Sequence, residues 1–126
     1  MKFIYLPTFV KRLKELSKKY PSLKNDFSSL LKELEVNPRI GTELGKDCYK
    51  IRLAIKSKGR GKSGGARLII CVKIQMNAIY FFTMYDKADQ DTISDSELKA
   101  FIKYMQKEYG TEEFKSRALV DVFTNK

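Results

Sequence analysis

The sequence predicts an α+β fold: an opening strand and helical hairpin, an antiparallel meander sheet, and a C-terminal helix. Three observations predict it. Apolar residues first recur at helical spacing, the period then changes to two, and an S-x-x-E box precedes a last helical repeat.

Phe3-Ile4-Tyr5 reads as a short first strand. Phe9, Leu13, Leu16 and Tyr20 then repeat at helical spacing, with Pro7-Thr8 as the start. Pro21 breaks that helix. A second fits Ser22 to Val36, with Leu23, Phe27, Leu30, Leu31 and Leu34 on one face, and Asn37-Pro38 stops it. The outward Lys11, Lys14, Lys18 and Lys19 read as solvated surface. Tyr49, Ile51, Leu53 and Ile55 alternate with Lys50, Arg52, Ala54 and Lys56, the pattern of a half-buried strand with a cationic outer row. Arg67 to Ile74 and Ala78 to Tyr85 are apolar at nearly every position, so both faces of these strands are expected to be covered, one of them by helices. A turn near Gln75-Met76-Asn77 joins them, and short connections imply an antiparallel meander. Ser94-Asp95-Ser96-Glu97 is a capping box before Leu98, Phe101, Ile102 and Met105, and Gly110 ends that helix.

The 126 residues suit one domain, and seven tyrosines and eight phenylalanines supply core material. Cys48 and Cys71 lie inside strand-like runs and read as buried small hydrophobes of a reducing compartment. The apolar N-terminus is short, is interrupted by Pro7, and has no cleavage site, so no signal peptide is expected. No apolar run has transmembrane length. A cytoplasmic protein with no membrane partner is the expectation.

Charge is concentrated. Cys48 to Tyr85 holds eight basic side chains and no acidic one, against 17 basic and 15 acidic side chains elsewhere, so this stretch supplies most of the net +10. Such a field favours a polyanion. Five of the eight lie between Lys56 and Arg67, in a Gly-rich run whose plainer reading is a solvated loop. Lys50, Arg52, Arg60 and Lys62 are the candidate RNA-binding cations.

There is no histidine, which removes the commonest general base and metal ligand. Asp86, Asp89, Asp91 and Asp95 lack the glycine and terminal glutamate of an EF-hand and read as a polar turn before a helix. Gly59 to Gly65 lacks the order of a nucleotide phosphate loop. Neither a metal nor a cofactor is expected. The remaining constellation is the basic loop, Arg67 at a strand start, and Tyr85-Asp86-Lys87 at a strand end. RNA is cut by its own 2′-hydroxyl when that group is deprotonated, the phosphorane charge is neutralised, and the 5′-oxygen is protonated. Arginine supplies fixed charge and a bidentate fork. A lysine among like charges can trade protons near neutrality. Tyr85 could serve as acid, base or stacking platform. Arg67 is expected at the sheet's edge rather than in the core. Phosphate binding without turnover is the simpler alternative.

Four segments carry a resemblance: Cys48 to Ile55, Gly61 to Ile69, Phe82 to Lys87, and Ile93 to Leu98. Together they resemble the HigB-type branch of the RelE/ParE toxin superfamily, most specifically in Gly64-Gly65-Ala66-Arg67 followed by Tyr85-Asp86-Lys87. The resemblance implies a RelE-like fold over residues 1–110, with 111–126 as an extension expected to hold a short helix. It implies a toxin that cuts mRNA in the ribosomal A site, inhibits translation, and is restrained by a cognate antitoxin whose complex binds operator DNA. It also implies that Arg67 is the catalytic arginine, that Lys56 and Lys58 are active-site lysines, and that Lys87 is a second basic residue at the last strand's end. No tyrosine here matches RelE's C-terminal one, and Tyr85 is the candidate substitute. The alternatives are a ParE-like gyrase inhibitor and a non-catalytic nucleic-acid-binding module.

Overall fold

The computed structural model describes residues 1–59, 61–90 and 92–110. It shows the predicted α+β architecture. Strand β1 (Lys2–Tyr5) leads into helices α1 (Pro7–Lys19) and α2 (Leu23–Val36). Strands β2 (Thr42–Gly45) and β3 (Cys48–Leu53) follow, then a 3₁₀ turn at Lys56–Lys58 and the four-residue helix α3 (Gly61–Gly64). Strand β4 (Ala66–Lys73), a 3₁₀ turn at Ile74–Met76, and strand β5 (Ala78–Asp86) complete a compact unit, Met1–Thr92. A second unit begins at Ile93, and its described part contains helix α4 (Asp95–Tyr109).

The sheet order is β1-β5-β4-β3-β2. β3, β4 and β5 form the expected antiparallel meander. β1 pairs with β5 in parallel, Lys2 opposite Ala78 and Tyr5 opposite Phe81. Between Ile69 and Ile70 the β4–β5 register shifts, leaving Phe82 as the extra residue of a bulge.

Period dictates the core. Phe9 and Leu16 of α1, and Leu23, Phe27, Leu30 and Leu34 of α2, cluster with Ile51, Leu68, Ile70, Ile79, Phe81 and Met84 on one sheet face. The rings of Phe9, Phe27 and Phe81 meet at centroid distances of 5.2–5.7 Å, where edge-to-face and tilted pairs are favourable. On the other face Cys48, Ile69, Cys71, Tyr80 and Tyr85 are buried as well.

Three local features refine the expectations. β2 is an added edge strand, paired antiparallel with β3. β3 stops at Leu53, so Ala54 to Lys56 leave the sheet. The basic loop is wound into two helical turns joined at Gly59, whose φ of 70° suits glycine. Gly65 closes the loop, and a Cβ there would collide with the Leu53 carbonyl. In the second unit Ser94 caps α4, its Oγ accepting from the Glu97 amide at 3.1 Å as the box predicts.

Candidate functional site

The end of the sheet where β4 begins and β5 finishes is tied by the Lys87 amide, which donates to the Gly65 carbonyl at 3.0 Å. This brings the loop's return and the end of β5 together, as the meander requires. Beside it opens a cleft of about 800 Å³ lined by Tyr20, Lys58, Ser63, Gly64, Lys87 and Ala88.

Asp86 forms the anchor of this region. It is fully buried. Its carboxylate accepts from Lys58 Nζ at 2.7 Å, from the Tyr20 hydroxyl at 2.5 Å and from the Ala88 amide at 2.9 Å. Burial on its own would raise this carboxyl; the Lys58 ammonium, the Tyr20 hydroxyl and the Ala88 amide outweigh burial and hold it at about 2. Lys58 is 10% exposed and lies 5.3 Å from the centroid of the Tyr20 ring, a cation–π distance. Lys19 stands farther out, 4.0 Å from Asp86 and largely exposed. Reading Asp86 as part of a polar turn before a helix is therefore corrected. β5 carries it into the interior, where it needs charged partners to be tolerated.

Arg67 is also corrected. It opens β4, but β4 lies between β3 and β5, and the residue is 2% exposed. It stands opposite Arg52 and Tyr85. Its guanidinium donates to the carbonyls of Lys62 at 2.9 Å, Ser63 at 3.0 Å and Ala66 at 3.1 Å. The fork thus gathers the end of α3 and holds the Ser63–Gly64 wall of the cleft from behind. Tyr85 is buried beside it and does not line the cleft, so an open stacking platform at Tyr85 is corrected too.

Lys56 diverges from Lys58. It is exposed and borders a separate groove of about 460 Å³, together with Arg52, Lys62, Asp26 and Glu33. The turn is pinned there by Asp26, which accepts from the Lys56 amide at 3.0 Å and the Ser22 hydroxyl at 2.7 Å. The Ser57 amide in turn donates to Ser22 Oγ at 2.8 Å. Lys50 is half-buried on β3. Arg60 and Asp91 lie outside the described residues, as do residues 111–126 with the short helix expected there.

The structure therefore brings Lys58 and Lys87 to one cleft, backs them with Arg67, and adds Tyr20 and Asp86, to which the sequence assigned no role in the site. Tyr20 sits at helical spacing and was indistinguishable from a core aromatic. Asp86 pairs with groups 28 and 66 residues away, which no local pattern reveals. The arrangement presents cations, a phenol and loop backbone around one opening, a set suited to a phosphate and to proton transfer beside it.

Among solved structures, the chain is similar to a double mutant of E. coli toxin RelE in the free state (TM-score 0.53, 20% identity, covering 82% of this chain and 96% of that one). It is similar also to the isolated E. coli RelE toxin (TM-score 0.52, 19% identity, 82% and 97%). These likenesses show the fold. The family described as the RelE toxin of the RelE/RelB toxin-antitoxin system matches residues 10–124, nearly the whole chain, and this protein belongs to that toxin family.

Proposed function

We propose that this toxin is a ribosome-dependent mRNA endonuclease that cuts message in the A site without a metal. The observation that carries the reading is the convergence of Lys58 and Lys87 on one cleft walled by the Ser63–Gly64 backbone. In the reaction the 2′-oxygen loses its proton and bonds to the adjoining phosphorus. The bond from phosphorus to the 5′-oxygen breaks, and that oxygen takes up a proton. Water in the open cleft takes the 2′-proton, the Lys58 ammonium and the Tyr20 hydroxyl are the donors in reach of the 5′-oxygen, and Lys87 supplies charge to the phosphorane. Arg67 acts by fixing the loop wall, and its charge lies directly behind that wall.

The exposed cations Arg52, Lys56 and Lys62 give a surface for nucleic acid at one remove from the cleft. Membership in a toxin-antitoxin family implies an antitoxin partner, and an acidic segment of it would match this basic face. Among the described residues no helix is long and apolar enough to cross a membrane.

Three assays run on one preparation test the reading. Message on translating ribosomes should be cut, with zinc and manganese chelated and magnesium kept for the ribosome. Naked RNA should be cut poorly, and gyrase supercoiling should be unaffected. Gyrase inhibition without cleavage would establish the ParE-like alternative. RNA binding without either would establish a non-catalytic module.

A further inference from the structure

We propose that Asp86 is a positioning residue of the cleft, whose buried carboxylate fixes the Lys58 ammonium and the Tyr20 hydroxyl as one unit. This deepens, and rests on, the endonuclease reading. The three side chains come from the end of β5, the Lys56–Lys58 turn and the end of α1. One Asp86 oxygen takes Lys58 and the Ala88 amide, and the other takes Tyr20.

A lysine on a four-carbon stem ordinarily samples many rotamers, and ordering it costs entropy. Here that ordering is complete before any substrate arrives. The ammonium is held at 2.7 Å on one side and lies near the Tyr20 ring on another, which leaves its remaining donor directions for the opening. Preorganised charge of this kind needs no rearrangement as negative charge develops on a phosphate. Asp86 itself stays ionised down to about pH 2, so it is a poor proton acceptor in the reaction. The charged and titratable groups facing Asp86 are Lys58, Tyr20 and, farther out, Lys19.

The test compares Asp86→Asn, Lys58→Ala and the double variant in single-turnover cleavage on message-programmed ribosomes at saturation. Asp86→Asn should lose about tenfold in rate with ribosome affinity within about twofold, because positioning acts on the bound state. Removing Asp86 should cost clearly less in the Lys58→Ala background than in the parent, since one of the two groups it positions is already gone. A second measurement needs no loss of the carboxylate: the carboxyl ¹³C titration of Asp86 should show an acid-shifted group that moves upward in Tyr20→Phe and further in Lys58→Ala. An Asp86→Asn rate equal to the parent's, losses that multiply in the double variant, or an ordinary Asp86 titration would each overturn the proposal. A parent protein that cuts no message would instead overturn the endonuclease reading, while the titration still decides whether Asp86 holds Lys58 and Tyr20.

Discussion

Two cavities flank the Lys56–Lys58 turn, and on the side of each a buried aspartate grips it. On the groove side Asp26 accepts from a main-chain amide and a serine hydroxyl. On the cleft side Asp86 accepts from an ammonium and a phenol as well as an amide. Both carboxylates avoid the penalty of unpaired burial. What they hold differs. Asp26 fixes where the chain runs, whereas Asp86 fixes side chains that face an opening. A buried carboxylate is thus informative about function only through its partners. The same holds for the lysines: two positions apart on one turn, Lys58 is enclosed and Lys56 exposed.

Arg67→Ala should have the largest effect and would sharpen the contrast, since the Arg67 fork holds the cleft wall. Its position at an edge would imply little cost in stability, but burial with three carbonyl acceptors reverses that expectation. Stability should fall by about 2–3 kcal/mol, or roughly 10 °C in Tm. Cleavage should fall on the order of a hundredfold. Thermal unfolding beside a cleavage assay checks both, and an unchanged Tm would mean the fork is not holding the loop.

Next in size is the paired comparison of Lys58→Ala with Lys56→Ala. Loss of Lys58 should slow cleavage roughly a hundredfold, whereas loss of Lys56 should weaken ribosome binding a few-fold in a salt-dependent way. Equal losses in saturated single-turnover rate would break the distinction between cleft and groove.

Acid should act on Asp86 with a smaller effect. Asp86 titrates lower in the folded protein than in the unfolded chain, so its contribution to stability is present above about pH 4 and is lost as pH falls towards about 2. Denaturant unfolding in that window should be less pH-dependent in Asp86→Asn than in the parent. Equal slopes would show that Asp86 is not held by Lys58 and Tyr20.

The smallest effect should come from Lys73→Ala, at the far end of β4. Lys73 pairs with a half-exposed Asp47 at 3.1 Å, an interaction expected to contribute less than about 1 kcal/mol. Cleavage should stay within about twofold of the parent, and a loss comparable to that of Lys58→Ala would mean that the basic stretch acts as an undivided electrostatic surface.

Elements governed by local rules were legible in the sequence. Helical periodicity marked α1 and α2, alternation marked β3, continuous apolar runs marked β4 and β5, and Ser94 with Glu97 marked the start of α4. β2 was not, because Thr42-Glu43-Leu44-Gly45 is four residues without alternation and owes its strand form to pairing with β3. The loop's helical turns were hidden for a similar reason. Gly-rich sequence has low helical propensity, and the Arg67 fork and Asp26 impose the winding from outside. Of the candidate residues, Lys87 lines the cleft at the sheet end the meander pointed to, and so does Lys58, which the resemblance named. The exposure of Arg67 and Tyr85 was misjudged because a strand's order in the sheet, not its composition, decides whether its first and last residues are covered.

The parallel pairing of β1 with β5 has a consequence for synthesis of the chain. The first strand leaves the ribosome more than seventy residues before its partner, and the helical hairpin waits with it for the sheet face it covers. Tyr20 and Lys58 likewise cannot meet until Asp86 has emerged. Closing such long loops makes folding a late, all-or-none event. No growing fragment that lacks Asp86 carries an assembled cleft, so the site forms only after the chain has been made at least that far. An interval of that kind gives a partner made alongside it time to be present first.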